Sequence, residues 1–123
     1  MLSLPPSVKV YLCSRPTDMR KQIDGLLGVV RATLAADPWA GHLFVFWGAS
    51  RDRVKILFFE QGGFAVYYKR LERGHFQIRF PQDGASHVEL ESTELAMLLR
   101  GIDFSRVRKP PSWAPRPDGA ATA

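Results

Sequence analysis

The hexapeptide "HLFVFW", residues 42–47, constrains this chain more than any other stretch, because both of its alternating sets are apolar. A strand with one solvated face alternates apolar and polar residues. A strand without alternation must be covered on both sides, so "HLFVFW" is expected at the centre of a sheet. The segments that follow, "RVKILFFE", "FAVYYKRL" and "GHFQIRFP", are dense in branched and aromatic residues and separated by turn formers. Their spacing predicts an antiparallel meander.

Before the meander, "SVKVYLCS" alternates Val8, Val10 and Leu12 and reads as a short first strand. A helix is expected next, N-capped by Thr17. Met19, Ile23, Leu26, Leu27, Val30 and Leu34 recur at helical spacing until Asp37-Pro38 stops it. Its polar side carries Arg20, Lys21, Asp24 and Arg31, and Gly25, Gly28 and Ala32 form a small-residue stripe read as packing glycines. After Asp83-Gly84, "SHVELE" is a candidate fifth strand. Ser92 is placed to cap a second helix, "TELAMLLR", which Gly101 ends as a C′ residue with Ile102 over Met97. The expected class is α+β: a four- or five-stranded antiparallel β-meander with two packed helices. Residues 1–104 form one domain, and the Pro-rich basic segment 105–123, "SRVRKPPSWAPRPDGAATA", is expected to be a disordered tail.

The formal charge of +5, from 17 Lys and Arg against 12 Asp and Glu, favours anionic partners without singling one out. Cys13 is the only cysteine, which excludes an internal disulfide and a cysteine-built zinc site and fits a reducing cytoplasm, with Cys13 a small buried hydrophobe. The prolines and lysine of "MLSLPPSVKVYL" interrupt any signal-peptide pattern, and no apolar run is long enough to span a membrane, so a soluble, cytoplasmic protein is expected. His42, His75 and His87 lack the spacing of metal ligands, and Asp18 and Asp24 fall on different helix faces. No serine sits in a nucleophile elbow. Neither enzyme activity nor a metal or cofactor is expected.

The register of the hairpin around Gln61-Gly62-Gly63 decides where the cations go. A three-residue loop closed by Gly63 gives a clean apolar side of Val54, Ile56, Phe58, Phe64, Val66 and Tyr68, with Lys55 opposite Lys69. A two-residue loop puts Lys69 among Ile56 and Phe58, which a core resists, so the three-residue loop is expected. The cations then ring one face or edge of the sheet with aromatics between them, as a nucleic-acid surface requires. The candidate contacts are Arg53, Lys55, Tyr67, Tyr68, Lys69, Arg70 and Arg73, with Arg20 and Lys21 on the first helix.

The runs "LPPSVKVYLCSRPTDMRKQIDGL", "GHLFVFWGASRDRVKILFFEQGGFAVYYKRLERGHFQIRFP" and "LAMLLRGIDF" closely resemble the TnpB or Orf2-like accessory proteins of the bacterial insertion-sequence family numbered sixty-six. "PTDMRK", "DGL", "DRVKIL" and "YKRLERG" carry the likeness. The resemblance implies a protein encoded between a small helix-turn-helix-type first frame and a large transposase, and needed for efficient transposition. It transfers no catalytic residue, only motif positions: Arg15, Asp18, Arg20 and Lys21; Asp52, Arg53 and Lys55; Tyr68, Lys69, Arg70 and Arg73. The chain departs from the family at "WGASRD", where members often carry more arginines, and at Phe58-Phe59. Two roles follow. One is a DNA-binding accessory factor that holds element ends. The other is an adaptor that recruits the transposase or the first-frame protein through the small-residue stripe or exposed rings. Self-association is left open by the sequence.

Overall fold

A computed structural model describes residues 7–78 and 83–101. Strand β2, Leu43–Trp47, is buried at every position and lies third in a five-stranded sheet. The other strands are β1 (Val10–Cys13), β3 (Arg53–Glu60), β4 (Gly63–Arg70) and β5 (His87–Leu90), in the order β4-β3-β2-β1-β5. Strands β2, β3 and β4 form the expected antiparallel meander, and β5 pairs antiparallel with β1. One pair departs from the all-antiparallel expectation, because β1 runs parallel to β2, with Val10 beside Leu43 and Leu12 beside Val45. A parallel neighbour cannot be reached by a tight turn, and the connection here contains the first helix.

That helix, α1 (Ile23–Val29), continues through one wider π turn at Val30–Leu34. It covers one face of the sheet. Leu26, Leu27, Val30 and Leu34 pack there with Cys13, Phe44, Phe46 and Leu57. The second helix, α2 (Ser92–Leu99), covers the opposite face with Leu95, Leu98 and Leu99 against Val10, Leu12, Val45, Val54 and Ile56. Alternate side chains of β2 thus enter different cores, which is why its sequence shows no alternation.

Several expected boundaries move. Thr17 does not cap α1: its N–H donates to the Trp47 carbonyl at 2.8 Å, and Asp18 accepts from the Arg20 N–H at 2.9 Å. This Asx turn holds the chain outside the helix until Gln22, which occupies the N-cap position without a side-chain cap. The helical run ends at Ala35, in the left-handed conformation (φ 50°), before Asp37-Pro38; Asp37 instead caps a short 3-10 turn at Pro38–Ala40. The cap of α2 is Glu91, one residue before Ser92, in a reciprocal capping box with Glu94. Gly101 takes the positive φ of a C′ residue, 77°, while Ile102 and the tail 105–123 lie outside the described residues. The packing reading of the small-residue stripe is also corrected in part: a Cβ on Gly25 would meet the Lys21 side chain at 3.0 Å, but one on Gly28 would meet nothing within 4 Å, and Ala32 is exposed.

The fourth expected meander strand, "GHFQIRFP", forms no strand over its described residues 74–78. The chain turns away from β4 because its main chain bonds elsewhere. Leu71 N–H donates to Asp52 O at 2.8 Å and Phe76 N–H to Arg51 O at 2.6 Å, tying this segment to the β2–β3 turn. Phe76 and Ile78 then fill the α2-side core.

Leu26 has no solvent exposure. Leu26→Asp should destabilise the fold by about 4 kcal/mol or more, since it creates an unpaired buried carboxylate. Urea titration followed by circular dichroism checks this; a midpoint unchanged from wild type would place the wrong helix face inward.

Candidate nucleic-acid interface

Strands β3 and β4 are joined by a two-residue turn, Gln61-Gly62, with both residues at positive φ (47° and 82°) and Glu60 paired with Gly63. This primed geometry matches the twist of the strands. It corrects the expected register by one residue. Lys55 faces Tyr68 rather than Lys69, Val54 faces Lys69, and Arg53 faces Arg70.

The core tolerates Lys69 on its apolar side because the lysine has a partner there. Its Nζ donates to the Leu99 carbonyl at 2.5 Å, at the C-terminus of α2, where orphan carbonyls and the helix dipole both favour a cation. Lys55 is the buried lysine, 9% exposed. Its Nζ donates to the Lys21 carbonyl at 2.7 Å and lies 5.2 Å from the Tyr68 ring centroid. Lys69 therefore joins the sheet to the end of α2 and Lys55 joins it to the turn before α1, where Lys21 lies outside the helix expected to hold it, and neither presents its ammonium freely to a ligand.

The nine sequence-selected residues consequently do not share one sheet face. Arg53, Lys55, Tyr68 and Arg70 lie on the α1 side, with Lys21 joined to them through Lys55 and Arg20 next to it. Tyr67 and Lys69 lie on the other side, Tyr67 packed against the α2-side core. Arg73 is exposed in the connection after β4. What unites the cations is one end of the sheet, where β1, β2 and β4 finish and β3 begins.

Three segments, 14–22, 48–53 and 70–76, build this end and are laced by the Thr17–Trp47, Leu71–Asp52 and Phe76–Arg51 main-chain bonds. They carry Arg15, Arg20, Lys21, Arg51, Arg53, Arg70 and Arg73, all exposed, against Asp18, Asp52 and Glu72. Arg51 is the cation that sequence reasoning passed over. Its guanidinium lies over the Trp47 ring, 5.4 Å from the centroid, and the "ASRDR" turn was its only local signal.

The carboxylates neutralise this end unevenly. Asp18 is engaged by Arg20 at 2.8 Å, and that hydrogen bond, then the Arg20 backbone N–H, holds its carboxyl well below the usual carboxylate range. The Ser50 hydroxyl, donating at 2.5 Å, is the main cause of a lowered Asp52 pKa. Among the described residues, Arg53 and Arg70 have only longer carboxylate contacts, 4.0 Å to Asp52 and 3.9 Å to Glu72, although their Cα atoms are direct cross-strand partners. Like charges so opposed repel, and an anion between them would relieve the repulsion.

The histidines serve local structure. His42 Nδ1 accepts from the Lys9 N–H at 3.0 Å, His75 Nδ1 meets the Ser50 carbonyl at 2.9 Å, and His87 Nδ1 meets the Ser86 hydroxyl at 2.9 Å. His42 and His87 flank the Tyr11 ring edge-on and line an open pocket of about 380 Å³ with Leu34 and Asp37. Among the described residues, no group of three or more His, Cys, Asp or Glu is placed to hold a metal ion, and no helix is long and apolar enough to cross a membrane.

A small α+β protein with a cationic sheet end is the class that fold and site define. The chain belongs to the IS66 Orf2-like protein family, which it matches over residues 8–109. It is thus an accessory protein of insertion-sequence transposition. Two relatives from Sinorhizobium fredii strain NGR234 are the uncharacterized proteins y4jC, 31% identical, and y4hO, 32% identical. Each alignment covers 94% of this chain, and 97% and 96% of the relatives respectively. No solved structure matches the chain.

The folded Asp18 carboxyl binds its proton less tightly than the unfolded one, so its stabilising contribution is complete above the ordinary carboxylate range. It is lost as pH falls through the depressed value. Carbon-detected NMR titration should show Asp18 still ionised below the ordinary carboxylate range, and Arg20→Ala should return it to that range.

Proposed function

We propose that this accessory protein holds the DNA of its element without catalysing a reaction, gripping the phosphate backbone at the cationic end of the sheet. Arg53, Arg70, Arg73, Arg20 and Lys21 supply the contacts, with Arg51 and Arg15 beside them. Tyr68, 50% exposed, offers a ring at the edge of the same surface. The direct opposition of Arg53 and Arg70, with no carboxylate among the described residues closer than 3.9 Å to either, carries this reading. Guanidinium groups suit phosphate, and such contacts position a protein on DNA without reading its sequence. The adaptor reading has one observation of its own, the Trp39 ring, 52% exposed on the α1 side.

Fluorescence anisotropy over a salt series separates the two. Replacing Arg53, Arg70 and Arg73 together by alanine should weaken binding to unrelated duplexes about equally. The slope of log affinity against log salt should flatten by about 0.9 for each phosphate no longer neutralised. Lys69→Ala should instead lower the melting temperature and leave the salt slope unchanged, because its ammonium is used on α2. Wild-type affinity and slope in a folded triple variant would remove this cationic end as a DNA contact. Pull-down of the transposase or first-frame protein, abolished by Trp39→Ala, would then support the adaptor.

A further inference from the structure

Strand β4 is an edge strand, and the usual protections of an edge are missing from it. All eight of its residues pair with β3 without a bulge, and it contains no proline. Exposed edges are commonly blunted by inward lysines, bulges, prolines or short length. Its one inward lysine, Lys69, is drawn to the end of α2. The other edge, β5, has only four residues.

The two-residue turn fixes which main-chain groups face outward. Glu60 and Gly63 close the turn as a hydrogen-bonded pair, and bonded and non-bonded pairs alternate from there. The N–H and C=O groups of Phe64, Val66, Tyr68 and Arg70 therefore point away from β3. Among the described residues, no strand and no other main-chain hydrogen bond reaches this row. Two of the three large hydrophobic side chains left exposed among the described residues flank it: Tyr68 on the strand, and Trp39, whose ring meets Phe64 at 5.6 Å between centroids.

We propose that β4 pairs antiparallel with β4 of a second copy of this chain, about a two-fold axis at Tyr67, to give one continuous ten-stranded sheet. The occupant follows from self-complementarity. Outward-facing residues must meet outward-facing residues, and only the Tyr67-centred register engages all four, Phe64 with the partner's Arg70 and Val66 with the partner's Tyr68. That register sets each Arg70 beside an aromatic ring and each Lys69 beside the partner's Ala65, so no two cations are directly opposed. Centring on Val66 would force Arg70 against the turn residue Gly62, and centring on Tyr68 would leave Phe64 unpaired. A two-fold, isologous contact also closes on itself, so the second edge of each copy is β5 and growth stops at the dimer. The pairing goes beyond the DNA reading and does not rest on it.

The test uses the full chain without nucleic acid. Light scattering coupled to size exclusion, from low to high micromolar protein, should show the dimer mass. Hydrogen exchange by NMR should show the amides of Phe64, Val66, Tyr68 and Arg70 protected increasingly with concentration. Val66→Pro removes one outward N–H and no inward one, a substitution that edge strands accept. It should halve the mass while keeping the wild-type circular dichroism; should it unfold, the exchange measurement on the wild-type chain decides alone. A monomer at every concentration would overturn the proposal. So would protection of those amides independent of concentration, which would mean that the chain covers its own edge. A folded Val66→Pro that remains a dimer would place the contact elsewhere.

Discussion

Burial of β2 on both faces is the constraint from which the rest of the architecture follows. Phe44 and Phe46 enter one core while Leu43, Val45 and Trp47 enter the other, so the sheet needs a layer on each side. All of α1 and its π turn lie in the connection between β1 and β2, and that connection must cross a face for the two strands to run parallel. The second face is left to α2, which arrives after β5 has returned to the free side of β1. A purely antiparallel meander would have left one core open, with Leu95, Leu98 and Leu99 or Leu26, Leu27 and Val30 having no apolar surface to meet.

The same two-sidedness explains which parts of the fold were legible in the sequence. Strongly periodic segments were readable, since Leu26, Leu27, Val30 and Leu34 or Leu95, Leu98 and Leu99 can be buried only as helical faces. The central place of "HLFVFW" was readable for the converse reason, the absence of any period. Helix starts were not. Thr17 looks like a cap, but its N–H is used by Trp47, 30 residues away, and Asp18 bonds Arg20 locally. Residues 75–78 have strand composition, yet main-chain bonds to the β2–β3 turn take the segment away from the sheet. In each case a non-local hydrogen bond overrode a local preference.

The hairpin register, and with it the arrangement of the candidate residues, was misread for a related reason. "EQGGF" accommodates either hairpin register, and the apolar pattern alone favoured the one that keeps Lys69 out of the core. The register that forms is stabilised by a contact invisible in the local sequence, Lys69 Nζ on the last turn of α2. Shifting by one residue exchanged the faces of β4, sent Tyr67 inward and brought Arg70 opposite Arg53. The residue types of a cationic surface were therefore legible, but their arrangement was not. The charges gather on connections at one sheet end, where side chains can reach outward without competing with a helix for the sheet face.

That arrangement also makes the two proposed surfaces compatible. A two-fold axis perpendicular to the sheet keeps both α1 layers on the same side. In the Tyr67-centred pairing the two Arg70 residues, three positions on either side of the axis, stand about 20 Å apart at roughly 3.4 Å per residue. Each marks the inner corner of one cationic end. The two ends are held at fixed separation by a continuous sheet and point in opposite directions along the strands, so the pairing leaves each of them open to a polyanion. Stiffness here comes from the ladder itself, because the main-chain bonds that would join the copies belong to the same sheet that carries Arg53 and Arg70. The hairpin register is thus the common determinant: the two-residue turn that opposes the arginines also turns the Phe64, Val66, Tyr68 and Arg70 main chain outward.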